Sequence, residues 1–105
     1  MVNPHAGEVG LVLDGEEFTL KLTLGALAEL EDGLQGESVL QLIERFEAGK
    51  FSTRDVLALI VAGLRGGGWT GTAADLLQVE IEGGLMAATK AAALLLARAF
   101  APPSG

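Results

Sequence analysis

The spacing of the apolar residues changes once along this chain, near Gly25, and this change constrains the fold more than any other feature. Between Val9 and Leu24 the apolar residues recur at nearly every second position, which is typical of β-strands with one buried face. Asp14-Gly15 interrupts the alternation and favours a two-residue hairpin turn, because Gly accepts a positive φ. From Gly25 onward the period is close to that of a helix. The pattern therefore predicts an α+β fold, mostly helical, with an N-terminal β-hairpin packed on four or five short α-helices.

Pairing across the Asp14-Gly15 turn places the apolar side chains of both strands on one face. The predicted pairs are Leu13 with Glu16, Leu11 with Phe18, and Val9 with Leu20. A longer loop that shifts the register by two residues would keep the same face. Because two strands alone are marginally stable, this face must pack on the helices or pair with another chain.

Start and stop signals divide the helical part of the chain. The first predicted helix follows Gly25 and carries one apolar stripe, made of Leu24, Leu27, Leu30 and Leu34. Each of the next three begins at a hydroxyl residue with a capping side chain three positions later. These pairs are Ser38 with Gln41, Ser52 with Asp55, and Thr72 with Asp75. We expect the three helices to end at Gly49, Arg65 and Gly83-Gly84, and a last helix to span 85–100.

The size of the chain suits a single hydrophobic core. At 105 residues we expect one domain over 1–105, with flexible tails at 1–7 and 101–105. Half of the residues are apolar but only 5% are aromatic, so the core must be built from Leu, Val, Ile and Ala. The helix over 53–65 is apolar nearly all round, which is typical of a central helix touched on several sides.

Residues that usually carry catalysis or metal binding are scarce in this sequence. It has no Cys, and His5 is its only His, which leaves no thiolate nucleophile and no Cys-ligated zinc site. Gly66-Gly67-Gly68 lacks the Lys and Ser/Thr of a phosphate-binding loop and is better explained as a helix end and a turn. The pair Glu44 and Glu47 has no base or nucleophile around it and fits a solvated helix face. We therefore predict no catalytic, cofactor-binding or metal-binding residues, and no enzyme.

The charge of the chain is unevenly distributed. The net charge is −7, and residues 1–50 hold ten acids against three bases, whereas 51–105 are balanced. Nucleic-acid binding needs clustered Lys and Arg, so we expect none. The acidic half suits a basic partner surface, or serves solubility alone. No apolar run is long enough to span a membrane, and the N-terminus has no signal-peptide pattern, so we expect a cytoplasmic protein without a membrane partner.

Two of the predicted helices carry broad apolar surfaces. The helices over 53–65 and 85–100 are both apolar on more than one face, and a chain of this size cannot easily bury two such helices. Two interpretations stay open: a well-packed closed core, or a surface reserved for another protein or a second copy of the chain. The residues we expect to contact a partner lie at Trp69 and along the last helix. They are Trp69, Leu85, Met86, Leu95, Leu96 and Phe100.

Four stretches of the sequence resemble, in their order and composition, the small tail protein encoded by gene transfer agents and related siphophages. The resemblance covers residues 8–100 and consists of packing and turn motifs rather than chemical ones. The stretches are residues 22–31, 54–57 leading to 63–68, 73–77 through 82–84, and 94–100. The family is grouped with phage tail assembly chaperones and also carries a tail-tube label.

The resemblance implies a chaperone that coats the long, helical tape-measure protein until tube subunits polymerise around it in the bacterial host cell. The alternative is a structural tail component, such as a tube or terminator subunit, although tail tubes are generally β-rich rings and this chain has one predicted hairpin. A third interpretation is a small regulatory or antitoxin-like protein that binds a basic partner through residues 14–47. The family supplies no catalytic residues.

Overall fold

The computed structural model describes residues 2–3 and 6–100 of the chain. Its elements are β1 (Val9–Leu13), β2 (Glu16–Leu20), α1 (Leu24–Gly33), α2 (Val39–Glu47), α3 (Thr53–Gly66), α4 (Ala73–Leu76) and α5 (Gly84–Ala99). The predicted α+β class, with a hairpin ahead of five helices, is confirmed. Among the described residues, none of the helices has the length and apolarity needed to cross a membrane.

The hairpin has the register that the sequence predicts. Leu13 pairs with Glu16, Leu11 with Phe18, and Val9 with Leu20. Asp14 and Gly15 form the turn with φ of 50° and 81°, in the left-handed region that Gly adopts at little cost. The inward face of the hairpin is buried against the helices, as expected for an isolated pair of strands.

Other parts of the chain bond to the β1 edge of the hairpin and to the end of β2. Along β1, Ile81 forms a bridge with Leu13, and the Glu82 N–H donates to the carbonyl of Val12 at 3.0 Å. Directly after β2, the Lys21 N–H donates to the carbonyl of Gly63 at 2.9 Å. Some of the backbone groups that an edge strand leaves unpaired therefore find partners in the segment after α4, and α3 binds the chain where β2 ends.

The predicted helix from Thr72 to Gly83 is wrong in its length. It starts as expected, with a capping box between Thr72 and Asp75, but α4 ends at Leu76. Residues 77–79 form turns that bond back to α4, and the chain then pairs with the edge of β1 at Ile81. The expected helical face that includes Val79 and Ile81 is therefore wrong, because Val79 lies in a bend and Ile81 in a bridge to β1.

Asp14 holds the segment after α4 with both its backbone and its side chain. Its N–H donates to the carbonyl of Glu80, and its Oδ1 accepts from the N–H of Glu80, each at 2.8 Å.

We expect Asp14→Ala to lower the free energy of unfolding by about 1–2 kcal/mol. The change removes the carboxylate acceptor and leaves alanine, which has a β-carbon and no side-chain hydrogen bond, at a positive φ. Asp14→Asn, which keeps an acceptor and tolerates that conformation, should lose less than half as much in urea unfolding. Equal losses would contradict this role.

The helices meet at α3, which is the centre of the core as predicted. Its Leu59, Ile60 and Leu64 are fully buried, and it packs on α1, α5, β2 and α4. The capping boxes of Ser38 with Gln41 and Ser52 with Asp55 are present as expected. Leu24 departs from the predicted stripe: it is 87% exposed, because it opens α1 directly after the capping residue Thr23.

The end of α3 lies unusually close to the backbone of β2. A β-carbon built on Gly66 would lie 1.8 Å from the carbonyl oxygen of Lys21, and one on Gly67 would lie 1.9 Å from that of Thr19. The predicted helix end at these glycines is confirmed, and the structure adds a second reason for them: only residues without a side chain fit there.

The predicted tails fall largely outside the part of the chain that is described. Residues 101–105, together with Met1, Pro4 and His5, lie outside the described residues. Of the rest of 1–7, the carbonyl of Asn3 accepts hydrogen bonds from the N–H groups of Ala6 and Glu8, at 3.0 and 3.1 Å.

Candidate apolar docking groove

An open apolar groove lies between α1, α3 and the short helix α4. Its volume is about 510 Å³, within the range of roughly 300–1,000 Å³ that binding sites occupy. We call it the α1–α3–α4 groove. Its lining consists of Glu29, Leu30, Gly33, Arg54, Leu57, Ala58, Val61, Ala62, Ala73 and Leu77.

The floor of the groove is the second apolar face of α3. Residues three and four apart on a helix share a face, so Arg54, Leu57, Ala58, Val61 and Arg65 form one stripe. The opposite face of α3 is buried in the core. The all-round apolar character of this helix therefore has two causes: one face fills the core, and the other lies open between α1 and α4.

Small residues and one exposed leucine give the groove its shape. Gly33, Ala58, Ala62 and Ala73 keep it wide, and a β-carbon built on Gly33 would meet no atom within 4 Å. Leu77 is 66% exposed at its rim. A side chain from another molecule could thus reach the floor without displacing the chain.

An arginine lies at each end of the α3 stripe, and the two differ in their partners. Arg65 pairs with Glu29 through Nε–Oε2 and Nη2–Oε1 contacts of 2.9 and 3.2 Å, and its Nη1 donates to the carbonyl of Gly71 at 3.2 Å. Arg54 is exposed, and its side chain makes no hydrogen bond or ion pair with any described residue. One end of the groove therefore has a neutralised charge and the other an available cation.

Trp69, which the sequence assigns to partner contact, is half-buried in a neighbouring groove. That groove has a volume of about 380 Å³ and shares Glu29 with the first. The indole ring lies against Gly71, where a β-carbon would come within 2.1 Å of it. The backbone N–H of Trp69 donates to the carbonyl of Leu64 at 2.9 Å. Trp69 thus packs on the core with one side open.

The expected contact band along α5 is not a single surface. Leu95 and Leu96 are 0 and 5% exposed and belong to the core, because α5 turns this face toward α3 and β1. The expectation for these two residues is corrected: their side chains are not available on the folded chain. Leu85, Met86 and Phe100 are exposed, but Met86 and Phe100 are roughly 20 Å apart along the helix.

Phe100 instead lines a small groove between α2 and α5. The volume of this groove is about 330 Å³, and Ile43, Phe46, Ala93 and Ala97 share its lining. The structure therefore separates the predicted partner residues into the start of α5, the end of α5 and the Trp69 groove, and it brings none of them into the α1–α3–α4 groove.

The α1–α3–α4 groove was missed at the level of sequence, although one signal for it is present. The helix over 53–65 has two apolar faces, and only one of them can be central. The sequence does not show which helix face the neighbouring elements leave uncovered.

The chemistry that the groove offers is binding of apolar side chains. Among the described residues, no group of three or more His, Asp and Glu side chains could hold a metal ion. Glu44 and Glu47 are exposed on α2, as expected of a solvated face.

Comparison with protein families matches residues 6–102 to the family described as "Phage tail tube protein, GTA-gp10". Comparisons with curated proteins and with solved structures give no match. The family match includes both strands and all five helices, and so covers the groove as a whole.

Proposed function

The chain belongs to the GTA-gp10 family of phage tail tube proteins, and on that premise we propose that it is a tail assembly chaperone, which binds the tape-measure protein and shields it during tail morphogenesis. On this proposal it acts in the cytoplasm of the bacterial host, on assembling tail particles.

The observation that carries the proposal is the α1–α3–α4 groove. An apolar groove between helices is a recurring site for a helix of a partner. The groove is formed by the folded chain without any rearrangement, so it can take up and release a partner helix. A chaperone needs such reversible cover for apolar segments of its client.

Co-expression with the tape-measure protein tests this function. We expect the tape-measure protein to remain in the soluble fraction when the chain is present and to precipitate without it. Equal solubility in both cases would contradict the proposal.

A matched pair of variants adds a control to this experiment. Leu77 in the groove and Leu40 on α2 are 66 and 65% exposed, so replacing either by Asp should change stability little. We expect Leu77→Asp to lose most of the solubilising effect, because it places a charge at the rim of the groove, and Leu40→Asp to keep it. The comparison is read from the soluble fraction of the tape-measure protein on gels.

A tail tube subunit is the second candidate, and the description of the family favours it. Against it, the described residues contain one two-stranded sheet, and part of its β1 edge already bonds to the segment after α4. Mass spectrometry of purified particles separates the two candidates. A chaperone should be absent from the finished particle, whereas a tube subunit should be present in many copies.

A further inference from the structure

The charges around the α1–α3–α4 groove restrict the kind of helix that fits it, and the inference drawn from them rests on the proposed function. The α3 residues that line the groove run from Arg54 to Ala62, a span of eight positions that corresponds to about 12 Å, or roughly two helical turns. After Arg54 this lining is apolar. A partner helix lying along α3 would therefore bury about two turns of its own apolar face.

The two ends of the α3 stripe are not equivalent. The guanidinium of Arg65 is already occupied by Glu29 and by the carbonyl of Gly71. Arg54 is unpaired among the residues described, and it is a cation at the edge of an apolar surface, where a carboxylate of a partner would be less solvated than in bulk water. Charge complementarity thus asks for an acidic residue at one end of the partner helix only.

We propose that the α1–α3–α4 groove binds one amphipathic helix of the tape-measure protein, whose apolar stripe lies on Leu57, Ala58 and Val61 and whose Asp or Glu pairs with Arg54. The apolar stripe provides the affinity. The ion pair at Arg54 fixes the direction in which the helix lies, since the other end of the groove has no free charge of the same sign.

Fluorescein-labelled 20-residue peptides, tiled across the tape-measure protein, provide the probe. Binding is followed by fluorescence anisotropy with the full chain. We expect a small set of peptides to bind, each with apolar residues at helical spacing and an acidic residue at one end of that stripe.

A substitution that fills the α1–α3–α4 groove tests whether the peptides bind there. Gly33→Leu fills open space, and Gly25→Leu makes the same change on the same helix beside the Trp69 groove, where a β-carbon would meet only Thr23 Oγ1 at 3.9 Å. We expect Gly33→Leu to weaken peptide binding at least tenfold and Gly25→Leu less than twofold. Urea unfolding confirms that both variants are folded. If Gly33→Leu binds as tightly as the unchanged chain, or if only Gly25→Leu weakens binding, the groove assignment is overturned.

A charge exchange tests the role of Arg54. We expect Arg54→Glu to weaken binding about fivefold, and replacement of the peptide's acidic residue by Lys to do the same. Combining the two changes should recover most of the loss, which a merely structural role of Arg54 would not produce. Independent, additive losses would overturn the ion pair.

Light scattering and co-expression distinguish the remaining outcomes. If the chain self-associates and Gly33→Leu makes it monomeric, the groove belongs to a second copy and the inference fails. If the tape-measure protein still depends on the chain for solubility but Gly33→Leu changes the affinity for none of the peptides, the inference fails while the proposed function stands. If the unchanged chain has no effect on solubility, the proposed function itself fails.

Discussion

Gly66→Ala is expected to lower the free energy of unfolding by at least about 3 kcal/mol. A β-carbon at this position would lie 1.8 Å from the carbonyl oxygen of Lys21 and 3.0 Å from its carbonyl carbon. Both are backbone atoms, so no side-chain rotation can relieve the overlap, and the cost exceeds the usual range of about 1–3 kcal/mol for overpacking. A domain of this size is stabilised by about 5–15 kcal/mol in total, so the loss is a fifth of the stability or more.

The reason that the overlap cannot relax is the bond that holds the two elements together. The Lys21 N–H donates to the carbonyl of Gly63, and a β-carbon on Gly63 would itself lie 2.7 Å from Leu95 Cδ1 and 3.1 Å from Leu20 Cβ. Moving the end of α3 away from β2 would break this bond and open the core beside Leu20.

Urea unfolding followed by the fluorescence of Trp69, the only Trp of the chain, measures this effect. Gly33→Ala is the matched control, since it is a helical glycine with open space around its β-carbon position, and it should raise stability by about 0.5–1 kcal/mol. An unfolding midpoint of Gly66→Ala that equals that of the unchanged chain would show that α3 and β2 are not in this close contact.

The features that the sequence predicted correctly are those encoded by neighbouring residues. The turn at Asp14-Gly15 fixes the hairpin register, because its two central residues decide which partners face each other. The capping boxes at Ser38, Ser52 and Thr72 depend on residues three positions apart. These signals act within one turn of chain, so they can be interpreted without knowledge of the tertiary structure.

The features that were missed depend on contacts between distant residues. The end of α4 at Leu76 goes with the pairing of Ile81 to the edge of β1, almost seventy positions away in sequence. In the same way, α3 and α5 both carry broad apolar surfaces, and the sequence alone did not say which one would remain open. The face of α5 that holds Leu95 packs on α3 at Gly63, whereas another face of α3 lies open in the groove between α1 and α4.

The family match and the groove limit each other's interpretation. The family places the chain among phage tail proteins, which leaves open whether it stays in the particle. The groove adds an apolar surface that each of the two candidate functions would use differently. A tube subunit would have to cover it permanently with a neighbour, whereas a chaperone would cover it only while its client is bound.

Arg45 joins the loop before α2 to the start of α3, and its removal is the second change with a large expected effect. Its Nε and Nη2 donate to the two carboxylate oxygens of Glu37 at 2.8 and 2.7 Å. Its Nη1 and Nη2 donate to those of Asp55 at 2.6 and 3.1 Å. Such bidentate pairs are stronger than ordinary surface ion pairs, because their geometry is fixed.

The two carboxylates make this arrangement dependent on pH. The hydrogen bonds from Arg45 lower the pKa of Asp55 from 3.8 to about 2, and the N–H of Ser52 adds to the effect. The hydrogen bond from Arg45 also lowers the pKa of Glu37. Since the folded pKa lies below the unfolded one, the stabilisation is present above about pH 4 and is lost as the pH falls toward 2.

We expect Arg45→Met to lower the free energy of unfolding at pH 7 by about 2 kcal/mol, because Asp55, whose side chain is 13% exposed, keeps its charge without its cation. The difference from the unchanged chain should shrink as the pH falls from 4 toward 2, because Asp55, whose pKa is lowered to about 2, starts to take up a proton in the folded chain. Arg65→Met, which breaks the more exposed pair with Glu29, should cost less than about 1 kcal/mol and serves as the control. Urea unfolding at several pH values gives the stability of the unchanged chain, of Arg45→Met and of Arg65→Met. If Arg45→Met loses the same free energy of unfolding at every pH, then packing of the aliphatic part of Arg45, rather than its charge, holds α2 to α3.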